Sequence, residues 1–313
     1  MGEFSSWLSK KSTRLWLLKG ISERVLWTIQ KILDWSVDYF QKKGVDAPRL
    51  NAELLLGRAL ELSRVQLYVQ FDRPLSEAEL AAYKKLVQRR GNREPLAFIL
   101  GEKEFFSMTF WVEPCTLIPR PETEELVERG LEFLRTRNPG PTRVLDLATG
   151  SGCLLLAILK NFAEAQGIGV DLSAAALALA RRNAERHQLG ERCSWIEQDL
   201  FQTWPESLSG PFDLITANLP YVSAAEWEAL APEIRDHEPK AALTPGPSGL
   251  EAFAAVLPQL PSRLQEGGLA LLEIGADQAA QLPALAAQYC PGLQAAVHQD
   301  SAKRPRILSL SKF

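Results

Sequence analysis

Beyond Arg143 the chain alternates short apolar runs with amphipathic stretches, a pattern that few folds accept. Strands are expected at 143–147, 168–171, 193–197, 212–217 and 269–274, and helices at 153–163, 174–188, about 249–264 and 277–288. Parallel strands need a crossover between them, and the intervening helices supply it while covering both faces of the sheet. The end differs: 294–298 and 306–310 are joined only by a short turn, so these last strands must be antiparallel neighbours. The expected class is therefore α/β, a doubly wound, Rossmann-like seven-stranded sheet with an antiparallel last strand.

Upstream the periodicity is helical. In 24–40 the apolar residues Leu26, Ile29, Leu33, Val37 and Phe40 recur at spacings of three and four. Similar patterns occupy 48–60 and 64–71, and a fourth helix begins at Ser76, with Glu79 completing a capping box, and runs to about Arg90 before Gly91 ends it. Aromatic and β-branched residues between Gly101 and Pro114 then predict a β-hairpin. A helix follows at 122–135 and is broken by Asn138-Pro139-Gly140-Pro141. The expected organisation is an N-terminal arm at 1–22, a helical domain at 23–100, a hairpin linker at 101–118 and the α/β domain at 119–313.

Leu15-Trp16-Leu17-Leu18 is too short for a signal-peptide core, and no apolar run approaches the roughly 20 residues of a membrane span. The formal net charge of −3 gives no global reason to expect a polyanionic partner. Cys115, Cys153, Cys193 and Cys290 lack disulfide or metal-site spacing, which suits a reducing cytoplasm and a reaction without metal. No histidine lies near a Ser or Cys as a nucleophile's base would. Lys84, Lys85, Arg89, Arg90 and Arg93 form a basic run that reads either as a solvated helix face or as a surface for an acidic protein or RNA.

The turn Asp146-Leu147-Ala148-Thr149-Gly150-Ser151-Gly152 joins an expected buried strand to a helix, so its backbone N–H groups can face a ligand where Gly150 and Gly152 leave room. Asp171 follows the next strand and is placed to accept from ribose hydroxyls. The pair suits any adenosine-containing cofactor, NAD included. Two details favour S-adenosyl-L-methionine: Leu155 stands where a dinucleotide fingerprint wants a third small residue, and Asp199-Leu200 offers a carboxylate suited to the adenine amino group.

Asn218-Leu219-Pro220-Tyr221 follows the run 212–217. An amide or ring amine is a poor nucleophile because its lone pair is delocalised, so it needs acceptors rather than a strong base. The Asn218 side-chain carbonyl and the Leu219 main-chain carbonyl can each take one N–H of an NH2 group, and Tyr221 can stack on a flat acceptor. Pro220 stiffens the loop. Taken alone, the tetrapeptide also reads as a plain turn at a strand end.

At these residues the chain resembles the HemK/PrmC family of S-adenosylmethionine-dependent methyltransferases, which modify glutamine N5 in the Gly-Gly-Gln loop of peptide-chain release factors. Glu94-Pro95-Leu96, Ile99-Leu100-Gly101, Glu104-Phe105 and Leu117-Ile118-Pro119-Arg120-Pro121-Glu122-Thr123-Glu124 carry the likeness upstream of the glycine turn. Glu238-Pro239, Ala242-Leu243, Gly246, Gly249-Leu250 and Leu272-Glu273-Ile274-Gly275 continue it downstream, so that it covers about 25–313. The resemblance implies a class I methyltransferase domain preceded by a helical domain that recognises the substrate protein. It implies class 1 release factors as partners, with no membrane and no requirement for nucleic acid. Cofactor contacts are expected at Asp146, Ala148, Thr149, Gly150, Ser151, Gly152, Asp171, Asp199, Leu200 and Asn218. Catalysis and substrate binding are expected at Asn218, Leu219, Pro220 and Tyr221. The likeness also brings Arg120 and Glu122 near the cleft, Arg120 as a candidate substrate contact, although the same residues read equally as a linker and an acidic first helical turn.

Three positions depart from the family pattern: Leu219 for a usual proline, Ala148 for a usual glycine, and Lys303 where the last hairpin commonly has glycine. Two other functions fit parts of the sequence. An N6-adenine methyltransferase on DNA or RNA would hold an extruded base at Asn218–Tyr221, although the acidic net charge disfavours it. A non-catalytic interaction module would keep the fold alone.

Overall fold

The computed structural model describes residues 26–137 and 140–312. The expected arm at 1–22 lies outside them, as do Asn138 and Pro139 of the helix break. The chain divides between Leu100 and Gly101 into two compact units.

The first unit contains α1 (Ile29–Lys42), α2 (Pro48–Leu60), α3 (Arg64–Val69), α4 (Glu77–Gly91) and α5 (Leu96–Leu100). Ile29, Leu33, Phe40, Leu55, Leu67, Tyr83 and Val87 close its core. Leu26, expected on the buried face, is instead exposed ahead of α1, whose N-cap is Thr28. Ser76 and Glu79 form the capping box of α4. Gly91 is still helical and serves by its size, since a Cβ there would lie 2.5 Å from the Tyr39 hydroxyl. The basic run is largely tied into the unit: Arg89 pairs with Glu94, Arg90 donates to Asn51 Oδ1 at 2.8 Å, and Arg93 donates to the Lys43 and Gly44 carbonyls.

The second unit opens with the hairpin β1 (Glu102–Phe105) and β2 (Met108–Trp111). Phe106 and Ser107 turn it with φ of 49° and 57°, the left-handed pair that matches strand twist. Phe105, Met108 and Phe110 pack with Leu126, Leu155 and Ile158, so the hairpin is built into this unit's core. The chain continues through α6 (Glu124–Arg135), β3 (Thr142–Leu147), α7 (Cys153–Asn161), β4 (Ala165–Asp171), α8 (Ala174–Arg186), β5 (Cys193–Glu197) and β6 (Phe212–Ala217). It ends through α9 (Ala224–Ala229), α10 (Pro232–Arg235), α11 (Glu251–Val256), β7 (Leu264–Glu273), α12 (Leu282–Tyr289), β8 (Gln294–Gln299) and β9 (Pro305–Ser311).

Among the described residues the strands from β3 onward form a seven-stranded sheet in the order β5-β4-β3-β6-β7-β9-β8. Pairing is parallel from β5 to β7, and β9 runs antiparallel to both its neighbours. Alternate strand residues face opposite layers. Leu145, Ile215 and Leu272 meet α11 and α12 on one side, whereas Val144, Leu214 and Leu271 meet α6 and α7 on the other. Each fully buried leucine contributes about 1.5–3 kcal/mol, so the two layers dominate the unit's stability.

Three expected helices need correction. The one at 249–264 ends at Val256 because Pro258 leaves only a short 3-10 turn, and β7 already begins at Leu264. The one at 277–288 starts at Leu282, with Pro283 in its first turn. The helix at 122–135 begins at Glu124, after a 3-10 turn over Pro121–Thr123. At the last hairpin Lys303 takes φ 61°, so the left-handed turn is kept without glycine.

Candidate active site

The strand order reverses between β3 and β6, and at such a point the two crossovers diverge and leave a crevice at the carboxyl ends of the strands. Leu147 and Ala217 are register partners there, so the turn after β3 and the loop after β6 start side by side.

The turn is built by three left-handed residues, Ala148 (φ 53°), Gly150 (φ 56°) and Gly152 (φ 79°). Ala148 thus accepts the conformation its missing glycine would have supplied. A Cβ on Gly150 would meet nothing nearer than 4.0 Å, so space over this backbone is open, whereas one on Gly152 would press on Ala180 and Trp195 at 3.2 Å. Leu155, which has no small residue's room of its own, is accommodated by Gly167 of β4: a Cβ there would lie 2.6 Å from its side chain.

Asp146 is buried beneath the turn and faces inward. Thr149 and Thr216 hydroxyls donate to it at 2.6 and 2.7 Å, and burial pushes its carboxyl up to about 7 despite those bonds. It braces the turn from below, with both oxygens taken by threonine hydroxyls. Thr149 closes the turn from its other end, its N–H donating to the Val170 carbonyl. The Ser151 carbonyl accepts from Asn183, whose amide also bonds both the N–H and the carbonyl of Trp111.

Asp171 ends β4 with both oxygens engaged on one side, by the Gly150 N–H at 2.8 Å and the Ser173 N–H at 2.9 Å. A carboxylate has about four acceptor positions, so these donors leave room for a hydroxyl donor. Burial raises this carboxyl's pKa, and the backbone donors counter that. Asp199 accepts from the Phe201 N–H, and Leu200 packs against the sheet core. Leu172, directly after Asp171, and Phe201, two residues after Asp199, are 60% and 51% exposed. Two large apolar side chains held in solvent at adjacent strand ends suit the faces of an adenine ring. They were missed in the sequence, where Leu172 shows only as a single apolar residue beside Asp171 and Phe201 only as the second of a two-residue apolar step after Asp199. Backbone donors, a ribose-type carboxylate and apolar flanks together fit S-adenosyl-L-methionine.

At the end of β6, Leu219 is buried in the core, so its side chain belongs to the scaffold. The Asn218 amide Nδ2–H donates to Thr123 Oγ1 at 3.1 Å, the Thr123 hydroxyl donates to Glu273 Oε2 at 2.6 Å, and the Tyr221 hydroxyl donates to Glu273 Oε1 at 3.1 Å. Glu273 ends β7 fully buried, which raises its pKa, and burial likewise raises that of Tyr221. Gln278 donates to the Tyr221 and Gly249 carbonyls at 3.1 and 3.0 Å and so fixes the backbone beyond Pro220. Arg120 pairs with the buried Glu238 at 2.6 Å while Glu238 also accepts the Ile118 N–H. The guanidinium thereby anchors a loop. Glu122 lies close enough to Glu273 for its charge to be felt there.

Residues 31–101 match the family model described as PrmC N-terminal domain, and residues 144–238 match the one described as Methyltransferase domain. A release factor glutamine methyltransferase of Geobacter sulfurreducens is 47% identical over 81% of this chain and 86% of its own. One of Rhodopirellula baltica is 38% identical over 91% of this chain and 97% of its own. Among solved structures, a protein-(glutamine-N5) methyltransferase (release factor-specific) of Alicyclobacillus acidocaldarius is 28% identical, covers 65% of this chain and 99% of its own, and gives a TM-score of 0.39.

Proposed function

The chain belongs to the release factor glutamine methyltransferase family, and on that premise we propose that it methylates N5 of the glutamine in the Gly-Gly-Gln loop of class 1 peptide-chain release factors. The observation that carries the reading is the pairing of Leu147 with Ala217, which sets the glycine turn and the Asn218–Tyr221 loop at neighbouring strand ends. S-adenosyl-L-methionine, when bound, supplies the methyl group. The turn from Ala148 to Gly152 offers it backbone N–H groups, Asp171 takes its ribose hydroxyls, and Asp199 with Leu200 meets its adenine.

Asn218 Oδ1 and the Leu219 carbonyl each accept one N–H of the glutamine amide, which orients the NH2 group and leaves its lone-pair face toward the methyl donor. The burial of Leu219 supports this division, since a side chain locked in the core leaves only the main chain to act. Tyr221 packs its ring against the amide plane. The nitrogen sheds its proton after the methyl has made it acidic, so no strong base is needed. The helical domain at 23–100 recognises the protein partner, nucleic acid is not required, and the work is done in the cytoplasm. Among the described residues no helix is long and apolar enough to cross a membrane.

The test is to incubate the chain with methyl-labelled S-adenosyl-L-methionine and either a purified release factor or plain duplex DNA. Label is expected in the release factor. Label confined to DNA would replace the glutamine with an adenine amino group as acceptor.

A further inference from the structure

Asn218 must present its carbonyl, and not its NH2, to the glutamine amide, yet the two ends of a carboxamide have nearly the same shape. Something beside it has to break that symmetry. Its Nδ2–H donates to Thr123 Oγ1, and a hydroxyl has one proton, so what Thr123 does with that proton decides which end of Asn218 it will tolerate. The proton is committed: Thr123 donates it to Glu273 Oε2 at 2.6 Å, within the range of a charge-assisted bond, and Tyr221 occupies the other carboxylate oxygen. As long as Glu273 is ionised it only accepts, so neither bond can then reverse.

We propose that Glu273 and Thr123 are positioning residues for methyl transfer: the Glu273 carboxylate holds the Thr123 proton, the Thr123 oxygen is thereby left only to accept, and Asn218 is locked with its carbonyl toward the acceptor. The proposal rests on the reading of Asn218 as the amide-binding residue. With the amide reversed, Oδ1 would face the Thr123 lone pairs and Nδ2 would meet the substrate NH2, donor against donor. The same carboxylate fixes the Tyr221 hydroxyl, so one buried group orients both the hydrogen-bonding and the stacking side of the pocket. Burial and, more weakly, the Glu122 charge raise the pKa of Glu273, while the Thr123 and Tyr221 hydroxyls and the Arg306 charge favour its carboxylate form.

Thr123→Val keeps the shape of the side chain and removes the hydroxyl, while Thr123→Ser keeps the hydroxyl. With full-length chain, whole release factor and S-adenosyl-L-methionine, Thr123→Val is expected to lower kcat about 10- to 100-fold, the scale set by a misplaced reacting group. Its KM for release factor and its calorimetric Kd for S-adenosyl-L-methionine should stay within about twofold. Thr123→Ser should recover kcat to within about threefold of wild type, which a role confined to packing would not produce. Rates are compared well below each variant's melting temperature, so lost stability is read separately. A Thr123→Val enzyme with wild-type kcat, or a Thr123→Ser enzyme as slow as Thr123→Val, overturns the proposal. Those results leave wild-type transfer to release factor intact, whereas its absence strikes the substrate reading itself and this proposal with it.

Discussion

Asp146 and Glu273 are both buried carboxyls, and the molecule uses them differently. Asp146 lies under the glycine turn with two threonine hydroxyls upon it, and burial raises its carboxyl from 3.8 to about 7. The linkage sign follows from the folded state binding the proton more tightly than the unfolded chain. The stability that this adds is complete below pH 3.8 and is lost as pH rises to about 7. Asp146→Asn removes the titration, so the melting temperature of the variant relative to wild type should climb from pH 5 to about pH 7 and level off above it. A constant difference across that range, measured by calorimetry without cofactor, would show that Asp146 does not titrate there. The sequence shows that an acid stands at position 146 but not which way it points. The place of Asp171 was more legible, because an acid closing an apolar run marks the end of a strand, where β4 indeed stops. Glu273 and Thr123 were quoted only as part of a resemblance, since 55 and 95 residues separate them from Asn218 and only the β6–β7 pairing and the Pro121–Thr123 turn bring them in.

At the scale of elements, the acceptor loop is held by a clip that begins one element away. Gly249 has φ 78°, and a Cβ there would lie 2.4 Å from the Tyr221 carbonyl that Gln278 grips. Gly249→Ala should therefore shift the Tyr221 backbone and lower kcat about 10- to 100-fold, while calorimetric binding of S-adenosyl-L-methionine stays close to wild type. Equal loss of cofactor affinity would mean that the loop after β6 and the turn after β3 are one unit. The alternating pattern from residue 143 was enough to read the sheet, its parallel core and its antiparallel last strand, because a two-sided parallel sheet admits few arrangements. The segment after Tyr221 was not read. Its signal existed, for Ser223 and Glu226 form the same kind of capping box that marked Ser76 and Glu79. The two short helices there, α9 and α10, have too few turns to show periodicity.

At the scale of the whole molecule, each unit has a hydrophobic core of its own, in 29–100 and in 105–310. That separation suits a division of labour in which the helical unit meets a protein partner and the α/β unit performs the transfer. The net charge of −3 gives no global reason to expect a polyanionic partner, and among the described residues Arg89, Arg90 and Arg93 are engaged in internal pairing. The basic run is a clear case where composition misleads: a row of arginines in sequence becomes, in the fold, a set of ties to Glu94, Asn51 and the Lys43 carbonyl. The central claim is that two carbonyls at the end of β6 bind a glutamine side-chain amide for methylation. Mass spectrometry of a release factor incubated with the chain and S-adenosyl-L-methionine tests it most directly. The account predicts one added methyl group on the glutamine of the Gly-Gly-Gln loop, absent when Asn218→Ala replaces the wild-type chain although that variant still binds cofactor. An unmodified glutamine, or a methyl group placed there equally well by Asn218→Ala, would contradict it.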